Sequence, residues 1–340
     1  AYAAKTAGRS ILGGVIGALS VTDSATKAAL LSALGSRYVS QIPYAMLPDF
    51  GIATQPTAND GDKVSRPYRD NGFAWRLTAR YAPDEHSSLY ATYARGRRPK
   101  VLAASSPDAP YAAPNFSMAA AETVDSYEAG YKTLTLNGRL RLDAAVYYYT
   151  YDNFQTIVLE NTAQVTANAG KAHAYGTELS ANWAIASWAD FFGTYTYGHA
   201  RFAGDTLYHG NRFRLTPDQK LSAGLDFRAK ALGGTFTLTP TWTWQSKIYF
   251  DDDNDIAALQ TGHIRPDTVR DEFQGDYGLA NLRLGYRPEG GIWSASLFAT
   301  NLFDRKFIKD AGNTGDYFGI PTFIAGEPRF VGMSVSVKMP

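Results

Sequence analysis

The stretch TFTLTPTWTW, Thr235 to Trp244, sets Phe236, Leu238, Pro240, Trp242 and Trp244 between five threonines. Successive side chains of a strand point to opposite faces, so this stretch as a strand has one apolar face and one face of hydroxyls. A helix, with its period of about 3.6, mixes the two sets around its circumference. The same alternation recurs along the chain. Leu140, Leu142, Ala144 and Val146 interleave with Arg139, Arg141 and Asp143, and Thr177, Leu179, Ala181, Trp183 and Ile185 with Glu178, Ser180 and Asn182. Leu221, Ala223, Leu225 and Phe227 oppose Lys220, Ser222, Asp226 and Arg228. Later, Ala280, Leu282, Leu284 and Tyr286 oppose Asn281, Arg283 and Arg287, and Val331, Met333, Val335 and Val337 oppose Ser334, Ser336 and Lys338.

From Gly72 onward the pattern predicts eleven strands, at 72–82, 87–98, 122–134, 138–157, 164–185, 190–202, 212–229, 234–250, 276–287, 292–309 and 327–338. Their connections alternate in length. Short ones fall at 83–86, 136–137, 186–189, 230–234 and 288–291, and long ones at 99–121, 158–163, 203–211, 251–275 and 310–326. Tight turns on one side and long loops on the other are the pattern of outer-membrane barrels. A soluble β-sandwich or a β-solenoid also alternates. Strands well beyond five or six residues, with Trp and Tyr near their ends, favour the membrane. The expected fold is all-β: an antiparallel transmembrane β-barrel, as a partial barrel of about eleven strands with long extracellular loops. Residues 1–71 are expected to form an extracellular loop region, with the tail of a preceding strand at Tyr2 to Arg9, and residues 72–340 the C-terminal barrel strands.

Composition agrees. Among 340 residues there are 22 Tyr, 18 Phe, 6 Trp and 31 Gly, no Cys, and a formal net charge of +1. Near-neutral charge offers no basic footprint for nucleic acid. The absence of cysteine removes disulfides and thiolate metal sites, and suits passage through an oxidising periplasm. No run of eighteen apolar residues exists, so a helical span is excluded on length. The mean hydropathy of -0.26 is no objection to a barrel, where every second side chain faces a polar lumen. Ile11 to Leu19 has the look of a signal-peptide apolar region, but no initiating Met precedes it. The residues after it read as a short loop helix with Asp23 or Ser24 as N-cap and Ala28, Leu31 and Leu34 on one face.

Four motifs carry a resemblance. ETVDSYEAGYK (Glu122 to Lys132), NAGKAHAYGTE (Asn168 to Glu178), TNLFDRKF (Thr300 to Phe307) and EPRFVGMSVSV (Glu327 to Val337) resemble, in this order and spacing, the C-terminal barrel of TonB-dependent outer-membrane receptors. FAWRLTARY and SLYATYARGRRP, between Phe73 and Pro99, extend the likeness, while residues 1–71 match only as a variable loop. The motifs have a structural meaning: Gly176 permits close strand approach, and Asn301 and Asp304 suit a turn or bulge. The resemblance implies a receptor or transporter in the bacterial outer membrane, taking up a scarce nutrient such as a ferric siderophore. It also implies partners: outer-membrane lipid and lipopolysaccharide, a small-molecule nutrient, and the TonB complex. The family's plug, held within a barrel of about 22 strands, and its TonB-contacting segment have no counterpart among these motifs. The expectation is therefore a plug-less portion. Met339 and Pro340 stand where such barrels usually end on an aromatic residue. A passive porin-like or structural barrel is the alternative.

No cofactor is expected. His86, His173, His199, His209 and His263 show no metal-ligand spacing, and no P-loop, nucleophile elbow or dinucleotide fingerprint occurs. A barrel-embedded protease or lipase is the enzymatic alternative. Asp251, Asp253 and Asp255 have the spacing of a calcium loop's first ligands, but the turn glycine and distal glutamate are missing, and the run reads as a solvated loop. The candidate ligand-binding residues lie in the loops: Arg97, Arg98, Tyr111, Phe116, Tyr208, Arg212, Phe213, Arg265, Tyr317 and Phe318. Arginine suits carboxylates, phosphates or an anionic iron chelate, and aromatic rings stack on sugars or apolar ligands.

The alternation predicts that Leu282→Arg, on the lipid face, lowers barrel stability by about 2–4 kcal/mol, whereas Arg283→Glu on the wet lumen face costs little. Equal shifts of the two unfolding midpoints would contradict the assignment of faces.

Overall fold

In the computed structural model, which describes residues 66–105, 115–160, 163–204, 206–260 and 262–338, the alternating stretches pair as one antiparallel sheet of eleven strands. The chain enters it through the hairpin of β1 (Trp75–Asp84) and β2 (Ser87–Arg98), and the next loop carries a ribbon of β3 (Val101–Ser105) and β4 (Asn115–Ala119). β5 (Glu122–Thr135) and β6 (Leu140–Asp152) return to the sheet before a second ribbon, β7 (Gln155–Glu160) with β8 (Ala163–Asn168). Four long sheet strands follow: β9 (Lys171–Ala186), β10 (Ala189–Ala203), β11 (Gln219–Ala231) and β12 (Gly234–Gln245). β13 (Ile248–Tyr249) and β14 (Phe273–Gln274) bracket a loop, and β15 (Tyr277–Pro288) and β16 (Trp293–Thr300) come after it. The last loop holds β17 (Ile308–Gly312), the short helix α1 (Asn313–Asp316) and β18 (Thr322–Ala325), and leads into β19 (Phe330–Val337).

The sheet order β1-β2-β5-β6-β9-β10-β11-β12-β15-β16-β19 is a simple meander. Among the described residues β1 and β19 are its two edges, with no pairing between them. Register keeps apolar rows on one face. Leu142, Ala181, Gly193, Ala223, Trp242 and Ala280 are successive cross-strand partners. One residue along lies the polar row Arg141, Asn182, Phe192, Gly224, Thr241 and Asn281. On the apolar face, aromatic rings meet across strands: Tyr93 stacks on Tyr127 at 4.8 Å in mid-strand, and Phe236 packs on Tyr286 at 4.7 Å near the strand ends.

The eleven sheet strands and five short turns stand where the alternation places them. Several of the expected strands are shorter in the sheet, among them 234–250, which ends there at Gln245. The stretch 138–157 ends as a sheet strand at Asp152, beside the positive φ of Asn153 (55°), and 164–185 divides at Gly170 (φ 85°). The stretch 292–309 leaves the sheet at Thr300, next to Asn301 (φ 47°), as the TNLFD motif suggested. The expected strand 212–229 starts only at Gln219, since Asn211 to Arg214 are held in a loop by hydrogen bonds to Asp252 and Asn254. The turn Leu232–Gly233 has φ of 54° and 67°, the left-handed pair of a tight hairpin.

Two compact units emerge. Residues 71–100, 120–156 and 167–340 contain all eleven sheet strands. Among the described residues, 66–70, 101–105, 115–119, 157–160 and 163–166 belong to the other unit. Within that unit the Arg66 guanidinium lies 5.5 Å over the Phe116 ring. The expected loop helix at Asp23 or Ser24, and the strand tail at Tyr2 to Arg9, lie outside the described residues.

Gly176 is fixed by its neighbours: a Cβ there would lie 2.1 Å from the Tyr197 carbonyl oxygen, a backbone atom that cannot swing aside. Gly176→Ala is expected to cost about 1–3 kcal/mol, while Gly275→Ala, with nothing within 4 Å of the new methyl, leaves the unfolding midpoint unchanged.

Candidate functional site

The polar face of the sheet carries hydrogen-bonded groups along its length. Tyr90 donates to Glu128 Oε1 at 2.6 Å, and Arg283 to Ser296 Oγ at 3.0 Å. Near the tight turns Arg228 bridges Asp190 and Asp226, and Asp226 accepts from Thr239 at 2.9 Å.

At the other end of the strands the loops build a folded mass. Phe154, Phe202 and Phe213 form its apolar centre, with ring centroids 4.7 to 5.4 Å apart, and Tyr208 packs on Phe202 at 5.5 Å. Asp218 takes two guanidinium groups, Arg201 at 3.2 Å and Arg212 at 2.6 Å. The segment Asp251 to Asp255 is pinned under this mass. Asp252 accepts from Thr156 Oγ1 and from the Arg214 amide, and its carbonyl accepts from Asn211. Asn254 exchanges bonds with the Arg212 backbone, accepting at 2.8 Å and donating at 2.9 Å. Asp252, Asp253, Asn254 and Asp255 are all buried, which corrects the reading of this run as a solvated loop. Bonded to the backbone of a loop some forty residues upstream in sequence, the Asp252 carboxylate and the Asn254 amide act as struts.

Carboxylates crowd the neighbouring space. Burial, and then the charge of Asp251, push Asp253 up to about 7. Burial followed by Asp316 and Asp255 pushes Glu272 up to about 8. Asp251, Asp255 and Asp316 are likewise raised by burial, with His263 opposing the rise at Asp316. Burial, and then the charges of Asp251, Asp253 and Asp252, also raise Tyr208. Among the described residues no three His, Asp or Glu side chains already stand in a metal-holding arrangement.

The candidate residues divide by role. Arg98 donates to the Gln155 carbonyl at 3.2 Å, and Arg97 lies against the backbone of Gly72. Tyr208, Arg212 and Phe213 come together and hold the loop mass. Arg265, Tyr317 and Phe318 form a second group, in which the Arg265 and Ile264 amides donate to the Tyr317 carbonyl and the Tyr317 ring stacks on His263 and lies tilted against Phe318. Arg265 and Phe318 are exposed. Phe116 belongs with the ribbon described above, and Tyr111 lies outside the described residues. Asp218, Asp252, Asn254, Glu272 and Asp316 were not singled out as site residues in the sequence, since their partners lie on other segments.

Residues 33–302 match the family model described as "TonB dependent receptor-like, beta-barrel". The pesticin receptor of Yersinia pestis is 27% identical over 265 residues, covering 74% of this chain and 35% of that protein. The ferrichrome outer membrane transporter/phage receptor of Escherichia coli K12 is 26% identical over 313 residues, 91% of this chain and 37% of that protein. Among solved structures, the ferric yersiniabactin uptake receptor of Yersinia pestis shares the fold with a TM-score of 0.62 at 24% identity, over 77% of this chain and 36% of that one. The chain thus spans little more than a third of the length of these relatives, which are receptors and transporters rather than enzymes.

Asn254→Ala removes the acceptor for the Arg212 amide and a donor to its carbonyl. A net loss of about 1–3 kcal/mol is expected to speed hydrogen exchange at the Arg212 amide by roughly tenfold or more. Exchange in the β12–β15 ladder stays unchanged.

Proposed function

The chain belongs to the TonB-dependent receptor β-barrel family, whose members sit in the bacterial outer membrane, and from that premise we propose that it supplies wall and loops to a receptor that imports a ferric siderophore. The family match over residues 33–302 carries this reading. The names of the relatives support it, one for ferrichrome and one for ferric yersiniabactin uptake. Arg98, Tyr208, Arg212 and Phe213 brace the loops, and the exposed Arg265 and Phe318, with Tyr317, offer the contact surface. A guanidinium pairs with anionic oxygens of an iron chelate, and the rings cover its apolar parts. Energy coupling through a plug and TonB is proposed for the whole receptor, of which this chain matches about a third. Lipid and lipopolysaccharide meet the apolar face.

The test uses cells producing the full-length receptor and radiolabelled iron on a panel of siderophores. Saturable uptake of one ferric siderophore, abolished by deleting TonB, is the expected result. Replacing Arg265 and Phe318 together by Ala raises the half-saturating concentration by about tenfold or more, near 1.4 kcal/mol of binding. Unsaturable passage that survives loss of TonB would identify a passive pore instead.

A further inference from the structure

Four carboxylates in the loops between β12 and β19 have little positive charge to balance them. Glu272, Asp255, Asp267 and Asp316 are 3%, 4%, 5% and 8% exposed. Each keeps one oxygen shielded from solvent and without a hydrogen-bond donor: Glu272 Oε1, Asp255 Oδ1, Asp267 Oδ2 and Asp316 Oδ1. The backbone holds them close. The Glu272 amide donates to Asp255 Oδ2 at 3.0 Å. A Cβ built on Gly312 would lie 3.3 Å from Glu272 Oε1 and 3.7 Å from Asp316 Oδ2, so those two side chains flank one glycine. Asp267 acts electrostatically on all three of the others. Among the described residues the basic side chain at ion-pair distance is His263, whose Nδ1 is 3.7 Å from Asp316 Oδ1 and has no hydrogen-bond partner of its own.

A buried ionised carboxylate without a partner costs several kcal/mol, and breaking one half of a buried pair shows the same penalty. The unpartnered atoms of these four side chains are carboxylate oxygens; in the same loops Asp271 Oδ1, Gln260 Nε2, the Tyr317 hydroxyl and the His263 imidazole also have no partner, and there is no thiolate. Oxygen donors of that kind suit hard cations. We infer that these loops hold a binding site for a divalent cation of the calcium type, with Glu272, Asp255, Asp267 and Asp316 as its carboxylate ligands. Calcium accepts six to eight oxygens in irregular geometry, which side chains from three separate segments can supply together with carbonyls and water. Magnesium demands a tight octahedron and is poorly served by the same set. Because the carboxylates are not yet gathered at coordinating geometry, the ion has to draw them inward. Its dissociation constant then falls in the weak class of extracellular calcium modules, about 10⁻⁴ to 10⁻³ M. The bound ion ties the β13–β14 loop to the β17–β18 ribbon. Of the Asp251, Asp253 and Asp255 spacing seen in the sequence, only Asp255 joins the site.

The test takes the full-length receptor in detergent, freed of lipopolysaccharide and chelator-treated, and uses terbium as the probe, excited through nearby tyrosines such as Tyr317. A saturable terbium signal, displaced by calcium at about 10⁻⁴ to 10⁻³ M and not by equal magnesium, is expected. Glu272→Gln and Asp316→Asn keep side-chain volume and each weaken displacement tenfold or more, while Asp276→Asn, on an exposed residue, leaves it unchanged. Heat-modifiable migration on gels verifies that each variant is folded. No calcium-displaceable signal from the native receptor at about ten times that concentration overturns the inference. So does an unchanged displacement curve in both folded charge-removed variants.

Discussion

Within a bilayer no water is present to satisfy a lone N–H or C=O, so every backbone group in a strand must find its partner in the next strand. That requirement makes the sheet continuous, keeps strands long, and confines irregular backbone to their ends. The β12–β15 ladder shows it intact, paired residue by residue from Gly234 with Pro288 to Gln245 with Tyr277. Pro240, which has no N–H, sits in the middle of β12, and the cost falls on its other side. There the β11–β12 ladder stops at Gly224 with Thr241 and resumes at Phe227 with Leu238. Across that gap Thr239 Oγ1 donates to Asp226 Oδ1 at 2.9 Å, so side chains replace part of what the backbone lacks.

The sheet was legible because a period of two is a local signal that repeats along a whole strand. The number of strands, their order and the tight turns can be read from residues such as those of Thr235 to Trp244 without knowing any distant contact. Strand ends were less legible. Alternation continues through Asn153 and Gly170, where a single left-handed residue turns the chain away. The loops show the opposite limit. Choosing Arg and aromatic residues picked out loop segments, but not that Arg212 is spent on Asp218 or that Phe213 is enclosed by Phe154 and Phe202. Asp252 and Asn254 find their partners 38 to 96 residues away, and no pattern in their neighbourhood announces it.

Wall and loops draw on different physics. The wall rests on backbone pairing and on a side-chain parity that lipid imposes, and it tolerates many sequences. The loops are built from particular polar groups brought out of water: struts at Asp252 and Asn254, a shared carboxylate at Asp218, and carboxylates around Glu272 with few basic neighbours. Such polar construction is expensive to leave incomplete. It gives the loops a definite shape and leaves Arg265 and Phe318 exposed on them.

Among the described residues the sheet ends on two edges, β1 and β19, with a consequence in simple arithmetic. Eleven strands in antiparallel sequence leave β1 and β19 running in the same direction. An all-antiparallel ring closed on these edges needs an odd number of additional strands, the outermost two pointing the opposite way. A duplicate of this sheet in the same membrane orientation also contributes eleven, yet its edges repeat the direction of the first, and both seams become parallel. The complementary wall is therefore not a copy of this one but its directional inverse, and any polypeptide that completes the ring must begin and end its run of strands on the reverse heading.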